Sequence, residues 1–285
     1  MRQAQAKLDR RCLARSLKRN WKTFLKESVN CRRKPSAETV HQLRVASRRL
    51  LAQLEILGAI FPQVEPAKAE RFLKRFRKKL GELRDTQVQK ALLADWPERI
   101  PGLCALRKHL ELREALLVKT AARDVKDLKF KKLRRHYAQI KEELRTHLMS
   151  PAQRDLASHF RSCADKALAQ TARKLRSIDY TRPETIHRTR VAFKKFRYTL
   201  EALPDTVTGL TTKEKQRLSA YQGLMGRIQD LEVLGQLISA FEEAHPSEAR
   251  AMAQSRRQLG SQQAKALAAF RRSSADLLNF WPRKP

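Results

Sequence analysis

The sequence predicts an all-α protein made of two copies of one helical unit, each a four-helix bundle. Three observations carry that expectation. The stretch His41-Gln42-Leu43-Arg44-Val45-Ala46-Ser47-Arg48-Arg49-Leu50 returns as His187-Arg188-Thr189-Arg190-Val191-Ala192-Phe193-Lys194-Lys195-Phe196, offset by 146 positions. Apolar residues recur at helical spacing through successive segments that end at prolines. Eight glycines and 6% aromatics, with long proline-free stretches, favour helix over sheet.

Taken in order, residues from about Lys7 to Asn30 read as an amphipathic helix with Leu8, Cys12, Leu17, Trp21, Phe24 and Leu25 on its apolar side. A basic turn around Pro35 follows, and Ser36 or Thr39 is placed to cap the first motif helix, from about Glu38 to Ile60. Pro62 and Pro66 end it. The next helix is expected from about Ala67 to Trp96, with Phe72, Leu73, Phe76, Leu80 and Leu83 inward and Arg71, Lys74, Arg75 and Lys78 on the other face. A fourth helix spans about Leu103 to Val125, and a basic one about Leu128 to Met149.

Ser150-Pro151 breaks the chain, and the order of elements begins again. A helix from about Ala152 to Ile178 matches the first. The second motif helix starts near Glu184, and Pro204 to Thr211 is a turn. A helix from about Lys213 to Ala244 follows, then a last one from Ser247 to Phe280, with a frayed end from Trp281. The repeats are thus about 7–149 and 152–281, within one unit of 7–281. Leu224-Met225-Gly226-Arg227-Ile228-Gln229-Asp230 echoes Lys79-Leu80-Gly81-Glu82-Leu83-Arg84-Asp85. The interval from motif His to Asp is 44 residues in one copy and 43 in the other, which predicts that both groups meet at one place in each half.

On a helical projection His41, Arg44 and Arg48 fall within an arc of roughly 60°. Leu43, Ala46, Leu50, Leu54 and Leu57 lie opposite. His187, Arg190 and Lys194 repeat this, opposite Ala192, Phe196, Leu200 and Leu203, with Tyr198 on the basic face and Arg197 at its edge. Cations three and four apart repel. One such row is an ordinary solvated face; two in the same register are harder to dismiss as that.

The formal net charge is +33. That excess costs self-repulsion and points to a polyanionic partner: nucleic acid, anionic membrane or a phosphate polymer. Cys12, Cys31, Cys104 and Cys163 have no zinc spacing and read as reduced. No apolar run has membrane-spanning length, and the first residues show no export signal, so a soluble cytoplasmic protein without membrane association is expected. No phosphate-binding glycine loop, nucleophile elbow or H-E-x-x-H motif occurs.

At His41, Arg44, Arg48 and Arg49 with Gly81 and Asp85, and at His187, Arg190, Lys194 and Lys195 with Gly226 and Asp230, the sequence resembles the CHAD family, the conserved-histidine α-helical domain. The resemblance spans about residues 7 to 281. It implies two pseudo-symmetric four-helix bundles with a basic pocket between them that binds inorganic polyphosphate, without catalysis and without a cofactor. Carried over residue by residue, the binding set is His41, Arg44, Arg48, Arg49, His187, Arg190, Lys194, Lys195 and Arg197. Arg71, Lys74, Arg75, Lys78 and Tyr198 join it from the faces read above, with Asp85 and Asp230 in support. Leu51 stands where Arg197 keeps a further cation, and the helix of Lys213 to Met225 lacks the first half's four, so unequal halves are expected.

The chemistry agrees. Polyphosphate has no bases to read and requires only closely spaced donors, which helical residues about 5–6 Å apart supply. The histidines are open to contact with the anion or hydrogen bonds to Asp85 and Asp230; a metal site of the two His and two Asp is the lesser alternative, because the surrounding cations would repel a metal ion. Tyr198 is open to core-edge packing or phosphate donation, and the row Lys131, Lys132, Arg134, Arg135 and Lys141 reads as solvated surface. Binding to nucleic acid or to polyanions in general is the alternative, against which stands the lack of an aromatic stacking platform. A hydrolase or kinase acting on polyphosphate would need more clustered carboxylates than Asp85 and Asp230.

Overall fold

A computed structural model of the chain describes residues 2–98, 100–126, 130–148 and 156–281. Every regular element among them is helical. In order these are α1 (Arg2–Arg33), α2 (Ala37–Ile60), α3 (Ala67–Lys79), α4 (Gly81–Ala94), α5 (Leu103–Lys126), α6 (Phe130–Leu148), α7 (Leu156–Arg176), α8 (Pro183–Ala202), α9 (Asp205–Thr208), α10 (Thr212–Ala244) and α11 (Ala253–Ser273). The expected junction at Ser150-Pro151 and the terminal residues 282–285 lie outside the described residues.

Local chemistry sets most boundaries. At the start of α2, Ser36 and Thr39 act together as a capping box: the Ser36 hydroxyl accepts from the Thr39 N–H at 3.2 Å, and the Ser36 N–H donates to Thr39 Oγ1 at 2.8 Å. Thr211 and Glu214 do the same for α10. Pro183 opens α8, where its missing N–H costs no helical bond. Gly102, at φ 76°, turns the chain into α5; a Cβ there would meet the Met252 sulfur at 2.7 Å.

Three expected elements differ. The helix expected over Ala67 to Trp96 is bent at Leu80 into α3 and α4, with Leu80 at φ −84° and ψ 3°. Gly81 lowers the cost of the bend, but Gly226 at the equivalent place leaves α10 continuous, so glycine alone does not account for it. The last helix is broken into a 3₁₀ turn at Pro246–Glu248, α11, and a second 3₁₀ segment, Ser274–Asn279. Trp281, expected at a frayed end, is 2% exposed and its indole N–H donates to Asp165 at 2.7 Å. An indole both buried and satisfied is a strong anchor.

Packing repeats with the sequence. α1 lies on α2 as α7 lies on α8; α3 and α4 lie on α2 as α10 lies on α8; α4 meets α5 as α10 meets α11. The two halves join where α2 packs on α8 and α4 on α10. α6 has no counterpart in the second half and docks on α1 and α3 through Leu133, Ile140 and Leu144, with Tyr137 stacked on Trp21 at 4.2 Å.

The apolar core does not divide at the repeat boundary. One cluster runs from Leu13 and Phe24 on α1 through Leu50 and Leu54 on α2 to Phe160 on α7 and Phe193 and Phe196 on α8. A second joins Leu92, Leu93, Trp96, Leu103 and Leu106 to Leu231, Leu234, Ile238, Phe241 and Leu259, again from both halves. The cause is visible on α2, where Leu50, Leu51, Ala52, Gln53 and Leu54 are all buried. A helix covered on every side links the layers around it.

Phe193 is fully buried, with ring centroids 4.9 Å from Tyr221, 5.8 Å from Phe280 and 6.0 Å from Phe196. Phe193→Ala is expected to cost about 3–5 kcal/mol. Urea unfolding should show the midpoint lowered with an unchanged slope; a midpoint within error of the parent would contradict this packing.

Candidate functional site

Side-by-side packing of α2 and α8 brings both motif copies to one seam. Val40, Leu43, Ala46, Ser47 and Leu50 are buried on α2, and Ile186, Thr189, Phe193 and Phe196 on α8. Both apolar stripes hold, so the polar row of each helix is turned to the seam. Arg44, Arg48, Arg190 and Lys194 are half-buried there.

Two further arginines enter this cluster, Arg77 from the last turn of α3 and Arg84 from α4, both half-buried. Arg44 donates from Nη1 to the Arg77 carbonyl at 2.7 Å. Arg48 reaches the Tyr198 hydroxyl at 3.5 Å, with its guanidinium 5.9 Å from the ring centroid. Asp85 feels Arg44, Arg190, Arg84 and Lys194; Asp230 feels Arg190, Lys194, Arg84 and Asp85 itself. Arg44, Arg84, Arg190 and Lys194 thus act on the two aspartates, Arg48 and Arg77 crowd the same basic groups, and Glu55 and Glu38 reach Arg77 and Arg84 from the edge.

Incomplete compensation shows in the acidities. Burial first, then Arg48 and Arg77, pushes Arg44 down to about 10. Burial and Arg48 push Arg77 down to about 10 as well. Both stay protonated at neutral pH. Lys194 is pushed down to about 6 by burial, then by Arg48, Arg190 and Arg77, against the pull of Asp230. Burial raises Asp85 and Asp230 above the usual carboxylate range, and the surrounding cations only partly offset it. The buried Nε of Arg77 and of Arg190 have no hydrogen-bond partner. Unpartnered buried donors cost free energy that an incoming acceptor can return.

The histidines flank the cluster and do not pair with the aspartates. His187 Nδ1 is hydrogen-bonded to Gln229 Oε1, one residue before Asp230. His41 is lowered by burial and then by Arg84, which holds the equivalent position before Asp85. The nearly equal His-to-Asp intervals thus reflect a shared meeting point, but the side chain that arrives is the neighbour of each aspartate.

The other expected residues are elsewhere. Arg49 is exposed and pairs with Glu201 at 3.2 Å, which ties α2 to α8, and Arg197 pairs with the same carboxylate at 3.0 Å along α8. Arg197 also donates to Gln222 at 2.9 Å and lies 4.6 Å from the Tyr198 ring centroid. Tyr198 itself is 6% exposed, a core-edge residue whose hydroxyl faces Arg48. Lys195 is exposed. Arg71, Lys74, Arg75 and Lys78 are exposed on α3, with Lys74 held by Glu70 at 3.2 Å and Glu55 at 3.3 Å. The residue that α3 contributes is Arg77. Its signal in the sequence is a two-turn spacing to Arg84, next to the motif Asp85.

A hollow lies away from the seam, between the end of α2 and the start of α3, where Glu55, Glu65 and Glu70 face Lys68 and Arg71. Its mixed charge suits no polyanion. Among the described residues no group of three or more His, Cys, Asp or Glu side chains is arranged to hold a metal ion. No described helix is long and apolar enough to cross a membrane.

An all-helical repeat with basic motif helices at its centre defines a class, and the comparisons agree. The chain matches the CHAD domain family over residues 15–239 and belongs to it. The crystal structure of the CHAD domain from the plant Ricinus communis superposes with a TM-score of 0.70 at 23% identity, covering 95% of this chain and 90% of that one. At that identity the match shows the shared fold. No curated protein matches this chain in sequence.

Lys194 offers a direct test of the cluster. Its proton is held less tightly in the folded chain than in the unfolded one, so its charge costs stability. The cost is greatest below about pH 6, where the group is charged in both states, and fades toward the ordinary lysine value of about 10.4. Lys194→Met should therefore raise the melting temperature, by more at pH 6 than at pH 9. A lowered melting temperature at pH 6 would contradict the repulsion.

Proposed function

We propose that this protein binds inorganic polyphosphate, without catalysis, at the α2–α8 seam. The observation that carries the reading is a half-buried cluster of five arginines and Lys194 around Asp85 and Asp230, with Glu38 and Glu55 only at its edge and two arginine Nε donors left unpartnered. A structural ion-pair network would be balanced. Retaining this much like charge in one place makes sense when a dense anion completes it.

In this reading Arg44, Arg48 and Arg190 are the main phosphate contacts, with Lys194, Arg77 and Arg84 beside them. His41 and His187 stand at the two ends, while Asp85 and Asp230 orient the arginines. Arg49, Lys195, Arg197 and Tyr198 form the rim and the tie between the helices. Arg71, Lys74, Arg75 and Lys78 extend the positive surface along α3. The Gln222 and Gln229 positions of the second half correspond to Arg77 and Arg84 of the first, so the anion is held more tightly on the first half. A protein of this charge and affinity gathers on polyphosphate granules in cells that form them.

The test is a paired comparison. Changing Arg44, Arg48, Arg190 and Lys194 together to Ala removes contacts that contribute on the order of 1.5–3 kcal/mol each. Affinity for a fixed-length polyphosphate in physiological salt should fall about a hundredfold or more, with little loss of thermal stability. Changing the exposed Lys131, Lys132, Arg134 and Arg135 to Ala removes the same formal charge from α6. It acts only through long-range attraction, screened within about 8 Å, and should cost less than tenfold. Equal losses, or displacement of polyphosphate by DNA at equal charge, would favour the general polyanion or nucleic-acid reading instead.

A further inference from the structure

We infer that the seam takes up a proton together with its anion, and that Lys194 is the group that receives it. The inference rests on the proposed anion binding and adds its dependence on pH.

The geometry is a cluster built from five helices. Lys194 lies half-buried on α8, with Arg190 one turn before it on the same helix. Arg48 faces it from α2 and Arg77 from α3; Asp230 faces it from α10 and Asp85 from α4. α7, which also packs along α8, buries Phe160, Ala164, Leu168 and Ala172 rather than a charged side chain. Lys194 makes none of the ion pairs that hold Arg49, Lys74 and Arg197.

Of the groups at the seam, the arginines are bound to their protons across the neutral range, and a lysine is the cation that can give its proton up when buried. Burial and three neighbouring guanidinium groups bring this one down to about 6, so without an anion it is a neutral amine at neutral pH. An anion laid along the seam reverses the sign of the local potential and favours the ammonium. The proton comes from solvent, the amine lone pair accepts it, and no bond to the ligand forms. Anion affinity must then fall as pH rises, by up to about tenfold per unit while the free lysine is neutral and the bound one charged. His41 is also lowered by burial and Arg84 and can add to the uptake near its own ordinary value, about 6.5. A measurement at pH 8 keeps that contribution small.

The experiment is isothermal titration of the full chain with long-chain polyphosphate at constant salt, from pH 7 to 9, in two buffers of different ionisation enthalpy at pH 8. A long polymer keeps the titratable end groups a small share of the ligand. The parent protein should take up close to one proton, on the order given by linkage for a single site, and its affinity should fall several-fold to tenfold per pH unit. Lys194→Arg, charged at every pH used, and Lys194→Met, never charged, should both bind with little uptake and a flat pH profile. Met should bind more weakly than Arg. Melting curves in parallel report folding, and either variant alone suffices. Binding without uptake, or the same uptake in the variants as in the parent, overturns the inference and leaves the proposed function standing. Absence of binding by the parent overturns both.

Discussion

Like-charge repulsion at the α2–α8 seam is the constraint around which this molecule is arranged. Arg44, Arg48, Arg77, Arg84, Arg190 and Lys194 are drawn into one half-buried region against Asp85 and Asp230, with Glu38 and Glu55 at its edge. Nothing about the cations favours that arrangement. It is imposed from beneath by the apolar stripes of α2 and α8, which bury Leu43, Leu50 and Leu57 on one helix and Phe193, Phe196 and Leu200 on the other. Burial of each such side chain contributes about 1.5–3 kcal/mol, enough to hold several repelling pairs at the seam.

The core that supplies this force is shared between the halves. Had each repeat closed its own core, the two motif helices would have been free to separate and let their charges apart. Because Leu50, Leu54, Phe160 and Phe193 belong to one cluster, the seam cannot open without exposing apolar surface. Glu201 adds a polar fastening, engaging Arg49 across the seam and Arg197 along α8. The tie explains why two members of the basic motif are not part of the buried cluster: their charge is already answered.

Much of this was legible from spacing. A period of 3.6 residues separates Leu43, Ala46 and Leu50 from His41, Arg44 and Arg48 without ambiguity, and the same division holds on α8. The repeat of 146 positions placed the two rows in equivalent roles. What periodicity does not contain is the rotation of one helix against another. How α3 is rotated against α2 leaves Arg71, Lys74, Arg75 and Lys78 at the surface and Arg77 at the cluster, and the period of α3 alone does not contain that choice. Spacing leaves the partner of His187 open for a similar reason. A helix interval locates a turn, while which of two adjacent side chains faces His187 depends on how α10 is rotated. The anchoring of Trp281 and the sharing of the core across the repeat are long-range contacts with no local signature.

The central claim is that the anion is bound at this seam and not by the diffuse positive surface. Hydrogen–deuterium exchange with and without polyphosphate tests it most directly, because it reports where the ligand quiets the backbone. The account predicts added protection in three segments, residues 41–49, 77–85 and 187–198, with little change along the exposed face of α6. Protection spread evenly over all the basic helices, or concentrated on α6, would contradict it.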